Sequence, residues 1–461
     1  MRRARNRARA GVALLLALAV TLGLLAWREE FERTGTQPKE AERERVTLRF
    51  TYWGSVEEKK AIENALARFM LEYPWITVEP IQLPNSDYNT KIMAMSASNE
   101  EPDIGYMTTE LGEAFARQGK FINLYSLLEK DTELKKEDFL DYLWYKSSPD
   151  YAWGISTAAE SFGLYYRKDL LEEAGVSPPP SRAEDAWTWE QFIEAARMLT
   201  VDWLGRNSLD PDFDKNHIVR YGVMFETWSE PLNNFIFGNG GDWVSPDGER
   251  FTLNEPEAAE AIQKLAELVN VYHVAPSPYE SKSLPAMNIA LQAGLAAMIV
   301  DGQWINLDLG KAKVDYDIGV LPKLKKSVTV GLSGATVLFR SSQHPEEAWL
   351  LYKWLSDPSK ALNLYADGLW MPVLKKWYTD PELAAKWADA NPAAHPPGFK
   401  DAMMRQLLEN GMPGVGYYLQ NQADIYPEVT EGLLPVWQGE MTAQEALDGI
   451  AEQVSGLFSQ K

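Results

Sequence analysis

Glu160 opens the run "AESFGLYYRKDLLEEAGVSPPP" (159–180), with Tyr165 and Tyr166 close behind it. A carboxylate beside aromatic rings can serve two chemistries. As one of two acids about 5–10 Å apart it supports glycoside hydrolysis. Ionised and acting alone, it accepts hydrogen bonds from hydroxyl groups. The chain holds 66 Asp and Glu residues, so acid pairs arise by chance and the sequence leaves both readings open. A second acidic group, Asp210, Asp212 and Asp214 in "DPDFDKNH" (210–217), has the spacing of a calcium loop. Lys215 stands where that loop needs Gly and Tyr221 where it needs Glu, which favours a solvated acidic loop. The four histidines, at 217, 273, 344 and 395, are scattered with no HExxH pattern, and cysteine is absent. Thiolate metal sites, Cys nucleophiles and disulfides are thereby excluded, and a His-based metal site is disfavoured. Neither GxSxG nor a Walker A string occurs, which removes the hydrolase-elbow and P-loop readings. "LQAGLAAMIVDGQW" (291–304) reads as a small-residue helix end and an apolar strand that delivers Trp304. On local grounds such a tryptophan is more often a core residue than a ligand platform.

The elements that would position these groups follow from periodicity. "VTLRFTYWG" (46–54) alternates as a strand and stops at Gly54. Ser55 then caps a helix over 55–74 whose Ile62, Leu66, Phe69 and Met70 share one face. A strand at 75–83, a helix at 86–100 and a strand at 102–108 continue the alternation, which predicts a parallel sheet with right-handed crossovers. Ligands in such sheets sit beyond the carboxyl ends of the strands. Trp53, Thr108, Thr109 and Glu110 fall at that edge. Further on, a strand at 162–166 leads to helices at 168–174, 188–203, 229–238, 256–272, 284–294 and 346–355, with no internal repeat.

At 461 residues the chain is long enough for two or three domains. Its net charge of −21 argues against nucleic acid, which needs a basic face, and disfavours anionic small ligands. The seventeen Trp and twenty Tyr suit large cores, or aromatic platforms in a cleft. "MRRARNRARA" carries five Arg and no acid, and residues 11–27 carry no charge at all, the form of an export signal. That apolar run would span roughly 26 Å as a helix, so it also fits an uncleaved anchor with the arginines held inside. The charged segment 28–45 suits a solvated stalk. The remainder is expected in the periplasm or at the cell surface.

Nine strings, "TLRFTYWGS", "FMLEYPWITVEPI", "YNTKIMAMSASNEEPDI", "GLYYRKDLLEEAGV", "TWEQFIEAARMLT", "FGNGGDWVSPDG", "LQAGLAAMIVDGQW", "VGLSGATVLFRSSQHPEEAWLLYKWLSDPS" and "MTAQEAL", run in order across 46–455. Together they resemble the solute-binding proteins of bacterial ABC importers, in the sugar-binding group that includes maltose-binding protein. The resemblance implies an α/β, two-lobe periplasmic-binding-protein-like fold of type II with three hinge crossings. One lobe would comprise 46–158 and 328–357, the other 159–327 and 358–461. It places Glu160 in the cleft wall as a carboxylate on sugar hydroxyls. It matches Trp304 and Tyr426 to aromatics that stack on sugar rings and sets Trp228 near the cleft. Thr109 and Glu110 become polar ligand contacts, and Gly334 lies on a bare backbone stretch that approaches ligand closely. No Cys follows the apolar segment, so a lipid-modified cysteine is not the attachment.

A pyranose has an apolar face and a rim of hydroxyls, so rings and carboxylates together suit it. Trp53, Trp228, Trp304 and Tyr426 with Glu160 and Glu110 form such a set. The resemblance implies an ABC permease as partner, a monomeric receptor, and neither cofactor nor catalytic residue. A glycerophosphodiester or other polar solute, or an exported glycosidase, are the competing readings.

Overall fold

The computed structural model describes residues 44–419 and 421–458. The expected export segment, 1–27, and all but the last two residues of the stalk lie outside the described residues. Among the described residues no helix is long and apolar enough to cross a membrane.

Thirteen strands occur among the described residues: β1 (Val46–Tyr52), β2 (Ile76–Gln82), β3 (Ile104–Met107), β4 (Trp144–Ser148), β5 (Tyr151–Ser156), β6 (Phe162–Arg167), β7 (Val201–Asp202), β8 (Ile218–Phe225), β9 (Ala296–Gly302), β10 (Tyr316–Gly319), β11 (Thr329–Gly331), β12 (Ala335–Leu338) and β13 (Gly411–Pro413). They form a six-stranded sheet in the order β2-β1-β3-β12-β5-β4, a five-stranded sheet in the order β10-β6-β9-β8-β7, and the pair β11-β13. The predicted parallel core is present, with β2 and β3 both parallel to β1. The helix between β1 and β2, Val56–Glu72, starts at a capping box: the Ser55 hydroxyl accepts from the Glu58 amide at 3.2 Å, and the Glu58 carboxylate accepts from the Ser55 amide at 2.7 Å. Ala61, Ile62, Ala65, Leu66 and Phe69 make its buried stripe, at helical spacing.

Several expectations change in detail. The helix expected at 188–203 ends at Leu199, and the one at 284–294 is reduced to Met287–Ala293. The strand β8 was not anticipated; its segment "IVRYGVMF" alternates poorly because its last residues are covered on both faces. The triad at 210–214 forms a surface loop in which Asp210 and Asp214 accept from the amides of Asp212 and Asn216. Arg167 and Lys168 pair with Asp169 and Asp315.

Three stretches of chain run side by side where the sheets meet. The Thr157 amide donates to the Gly334 carbonyl at 3.0 Å, and the Ala159 amide donates to the Met371 carbonyl at 3.0 Å. Glu160 and Leu332 exchange two backbone hydrogen bonds, of 3.0 and 3.1 Å. Through the middle stretch β12 enters the first sheet, antiparallel to both β3 and β5. One apolar cluster runs from the first sheet onto one face of the second, through Tyr165, Met224 and Ile299, and another covers the opposite face of the second, with Leu164, Val223 and Met298. Residues 361–378, assigned by resemblance to the second lobe, reach back to the first: Asn363 donates to the Ala61 carbonyl, and Val373 accepts from the Leu140 amide.

Trp153 anchors the first cluster. It is 2 % exposed, stacks on Phe121 with ring centres 5.8 Å apart and tilts against Tyr145 at 4.9 Å. Gly112 faces it so closely that a Cβ would stand 2.4 Å from the indole. Trp153→Ala is expected to lower unfolding stability by about 3–5 kcal/mol in urea titration. Trp203→Ala, at a site 60 % exposed, should cost less than about 0.5 kcal/mol. Similar losses in the two variants would contradict this account of the core.

Candidate functional site

A cavity of about 840 Å³ lies where the two sheets meet, and all eight residues singled out from the sequence line it: Trp53, Thr109, Glu110, Glu160, Trp228, Trp304, Gly334 and Tyr426. Most arrive from the ends of elements, whereas Tyr426 comes from within the helix Gln422–Gly432. Trp53 follows β1 and packs edge-on against Tyr88 and Tyr106, with ring centres 4.9 and 5.1 Å apart. Gly334 lies under that indole: a Cβ there would stand 2.3 Å from the ring. The glycine therefore makes room for Trp53, in addition to leaving bare backbone at the cavity. Thr109 and Glu110 open the helix Thr109–Arg117 after β3. Gly416 packs onto Thr109, where a Cβ would lie 2.4 Å from the threonine methyl.

On the opposite wall Phe162 connects two indoles. Its ring centre is 6.1 Å from that of Trp228 and 5.6 Å from that of Trp304. Trp304 folds back over Gly302, where a Cβ would come within 1.9 Å of the ring. Tyr426 lies nearly parallel to Trp243 at 6.3 Å, and its hydroxyl accepts from the Ser229 amide at 3.3 Å. That amide opens the helix Ser229–Gly238, so the cavity also meets a helix N-terminus.

Sequence reading missed most of the lining. Tyr417 comes from a short turn, Val415–Tyr417, and crosses to the first sheet. Its hydroxyl shares a 2.6 Å hydrogen bond with Ser156, and its ring stacks on Tyr145 at 4.4 Å. Tyr106, Trp370, Glu58, Glu226, Glu230, Asp301 and Asp308 were also not singled out. Glu226 follows β8, the strand that was not recognised, and Glu58 looked like an ordinary first-turn acid of a helix. The one available signal was the strand-end rule that located Trp53; applied to β8 and β9 it also points to Glu226, Trp228 and Asp301.

Among the described residues the lining contains seven carboxyl groups and no Lys, Arg or His. Burial pushes the Glu160 carboxyl well above its usual range; nearby Glu58 adds to this and the Ser333 hydroxyl opposes it. Glu58, Glu230 and Asp301 are each pushed up to about 7, chiefly by burial. In each case a neighbouring acid contributes: Asp308 for Glu58, Glu110 for Glu230 and Glu226 for Asp301. Such groups can accept hydrogen bonds when ionised and donate when protonated.

Near neutrality these acids hold protons in the folded chain that the unfolded chain has released. Their contribution to stability is greatest below the ordinary carboxylate value of 4.5 and is lost as pH rises through about 7. The melting temperature of the unliganded protein should fall from about pH 5 to about pH 8, and that fall should be smaller by a few degrees in Glu58→Gln/Glu230→Gln. A slope equal to that of the parent protein would refute the assignment.

A profile of the family described as bacterial extracellular solute-binding protein matches residues 53–361. The chain is 24% identical over 366 residues to the Escherichia coli (strain K12) protein YcjN, covering 76% of this chain and 77% of that one. It is 23% identical over 432 residues to the sn-glycerol-3-phosphate-binding periplasmic protein UgpB of the same strain, covering 88% and 92%. Among solved structures, the ABC substrate-binding protein Lmo0181 from Listeria monocytogenes in complex with cycloalternan superposes with a TM-score of 0.77 at 21% identity, covering 91% of this chain and 100% of that one. The maltose/maltodextrin-binding domain MalE from Bdellovibrio bacteriovorus bound to maltotriose gives a TM-score of 0.69 at 19% identity, covering 89% and 99%. At these identities the structural likeness concerns the fold, two α/β bodies with a cavity between them. That fold, and a family profile running from the end of β1 through the second chain stretch between the sheets and β12, make this chain a member of the bacterial extracellular solute-binding protein family.

Proposed function

We propose that the protein is the extracytoplasmic receptor of an ABC importer and that its solute is a carbohydrate, most simply an oligosaccharide. One observation carries the reading: nine aromatic residues and seven carboxyl groups line a single cavity between the sheets. Its volume, about 840 Å³, is within the roughly 300–1,000 Å³ of small-molecule sites. Indole and phenol rings cover the apolar faces of sugar rings, and carboxylates and amides take the hydroxyl rim. Trp53, Trp228, Trp304 and Tyr426 are the stacking platforms; Glu160, Glu110 and Thr109 are the polar contacts; Gly334 admits the sugar close to the backbone. Relatives and neighbours named for maltotriose and cycloalternan binding support the solute class.

We read the chain as two lobes, 46–158 with 328–357 and 159–327 with 358–461, a division that the two main sheets support. Stretches 157–160, 332–334 and 371 act as the hinge. Ligand bridging the lobes stabilises the closed form through contacts made only on closing, and a permease reads that form. Residues 11–27 export the chain or hold it at the membrane. The receptor releases its solute chemically unchanged. A phosphate-bearing polyol, the ligand in UgpB's name, fits less well, because no cation lines the cavity.

A thermal-shift screen against mono- and oligosaccharides should give at least one hit, and the hit should be recovered intact after long incubation. New products would make the protein a glycosidase. For that hit, Trp304→Ala should weaken binding by about 1–3 kcal/mol in calorimetry, the scale of one buried aromatic contact. Gly334→Ala, which drives a methyl into the Trp53 indole, should also weaken it. Unchanged affinity in both variants would remove this wall from the site.

A further inference from the structure

Within the cavity the acids come together in sets. Glu226 and Asp301 follow from strand register: β8 and β9 are parallel with Phe225 opposite Val300, so the next residue on each strand is an acid at the carboxyl end of the sheet. Asp301 is 7 % exposed. One of its oxygens accepts from the amide of the following residue, Gly302, at 2.8 Å, and the other has no hydrogen-bond partner among the described residues. Glu226 forms neither a hydrogen bond nor an ion pair among the described residues. None of the seven lining carboxyl groups takes part in an ion pair among the described residues.

Gathering like charges in a partly dry cavity is unfavourable unless something of opposite charge enters. Here burial raises the proton affinity of Asp301, Glu226 and Glu230, Glu226 adds to this for Asp301 and Glu110 for Glu230, and no cation lowers it. A neutral sugar would leave that repulsion in place, since its hydroxyls carry no charge. An ammonium group would relieve it and would donate up to three hydrogen bonds to oxygens that lack donors. The surroundings of the pair suit a cation in a second, independent way: Trp228 and Trp304 flank Phe162 on the same wall, and indole faces attract cations.

Building on the carbohydrate reading above, we infer that the solute bears a free amine: a cationic amino-sugar oligosaccharide whose ammonium group is held between Glu226 and Asp301 beside Trp228 and Trp304. The hydroxyl rim and apolar ring faces of the same molecule occupy the rest of the cavity. The amine remains unacetylated, because an amide would place a neutral, bulkier group against two carboxylates and lose the charge.

The test is calorimetric titration with three matched sets: cello- and malto-oligosaccharides, the corresponding amino-deoxy oligosaccharides, and the N-acetylated forms of those amines. The amines should bind about ten- to a hundredfold more tightly than their neutral and acetylated counterparts, the range of one charge-assisted hydrogen bond. That advantage should shrink as salt is added. In Glu226→Gln/Asp301→Asn the ratio of amine to neutral affinity should collapse towards one; should the double variant not fold, Glu226→Gln alone, at an exposed position, should lower the ratio. Equal or tighter binding of the neutral set, or an unchanged ratio in the variants, overturns the inference and leaves the carbohydrate reading standing. Failure of every member of the three sets to bind brings down both.

Discussion

The fold depends on a few backbone hydrogen bonds at the seam between the sheets. Glu160 pairs with Leu332, Thr157 with Gly334 and Ala159 with Met371. These contacts return the chain to the first sheet as β12 after it has built all five strands of the second. They also fix the cavity, because Glu160, Thr157, Leu332 and Gly334 are at once seam and lining. The carboxyl ends of β1 and β3 in one sheet, and of β8 and β9 in the other, are thereby brought to one space. A residue at any of these strand ends reaches the cavity whatever its separation in sequence.

Glycines on this frame decide where the rings go. Gly302 and Gly334 are not in left-handed backbone; what matters at each is the missing Cβ, which would strike the indoles of Trp304 and Trp53. Tyr417 works from the other direction. Supplied late in the chain, it stacks on Tyr145 and shares a hydrogen bond with Ser156, joining the C-terminal part to β5 across the cavity. Tyr145 in turn tilts against Trp153, so the cavity wall continues into the core of the first sheet.

The electrostatics of the cavity come from burial more than from any single pair. Glu58, Glu160, Glu230 and Asp301 all have raised proton affinity, and in each the larger cause is removal from water. Basic residues on the helices of two lining acids pair elsewhere: Lys59 with Glu63 and Lys60 with Glu57 on the helix of Glu58, and Arg117 with Glu113 on the helix of Glu110. The cavity is thus acidic by composition as well as by the net charge of the whole chain.

Periodicity and strand-end position sufficed for the β1 to β3 core, for the helix Val56–Glu72 with its Ser55 cap, and for placing Trp53, Thr109 and Glu110 at a carboxyl edge. These are local properties, set by side-chain spacing and cap chemistry. The ordered strings carried the family and, through it, the positions of Glu160, Trp228, Trp304, Gly334 and Tyr426, which now line the same cavity. What the sequence could not express was adjacency. The end of β8 is covered on both faces and lacks alternation, so the acid that follows it, Glu226, went unnoticed beside Asp301. Tyr417 lies in a turn with no periodic signature. The Gly334–Trp53 contact joins residues far apart in the chain. Only tertiary structure determines which acids share a cavity without a counter-charge, because that depends on which strand ends the seam brings face to face.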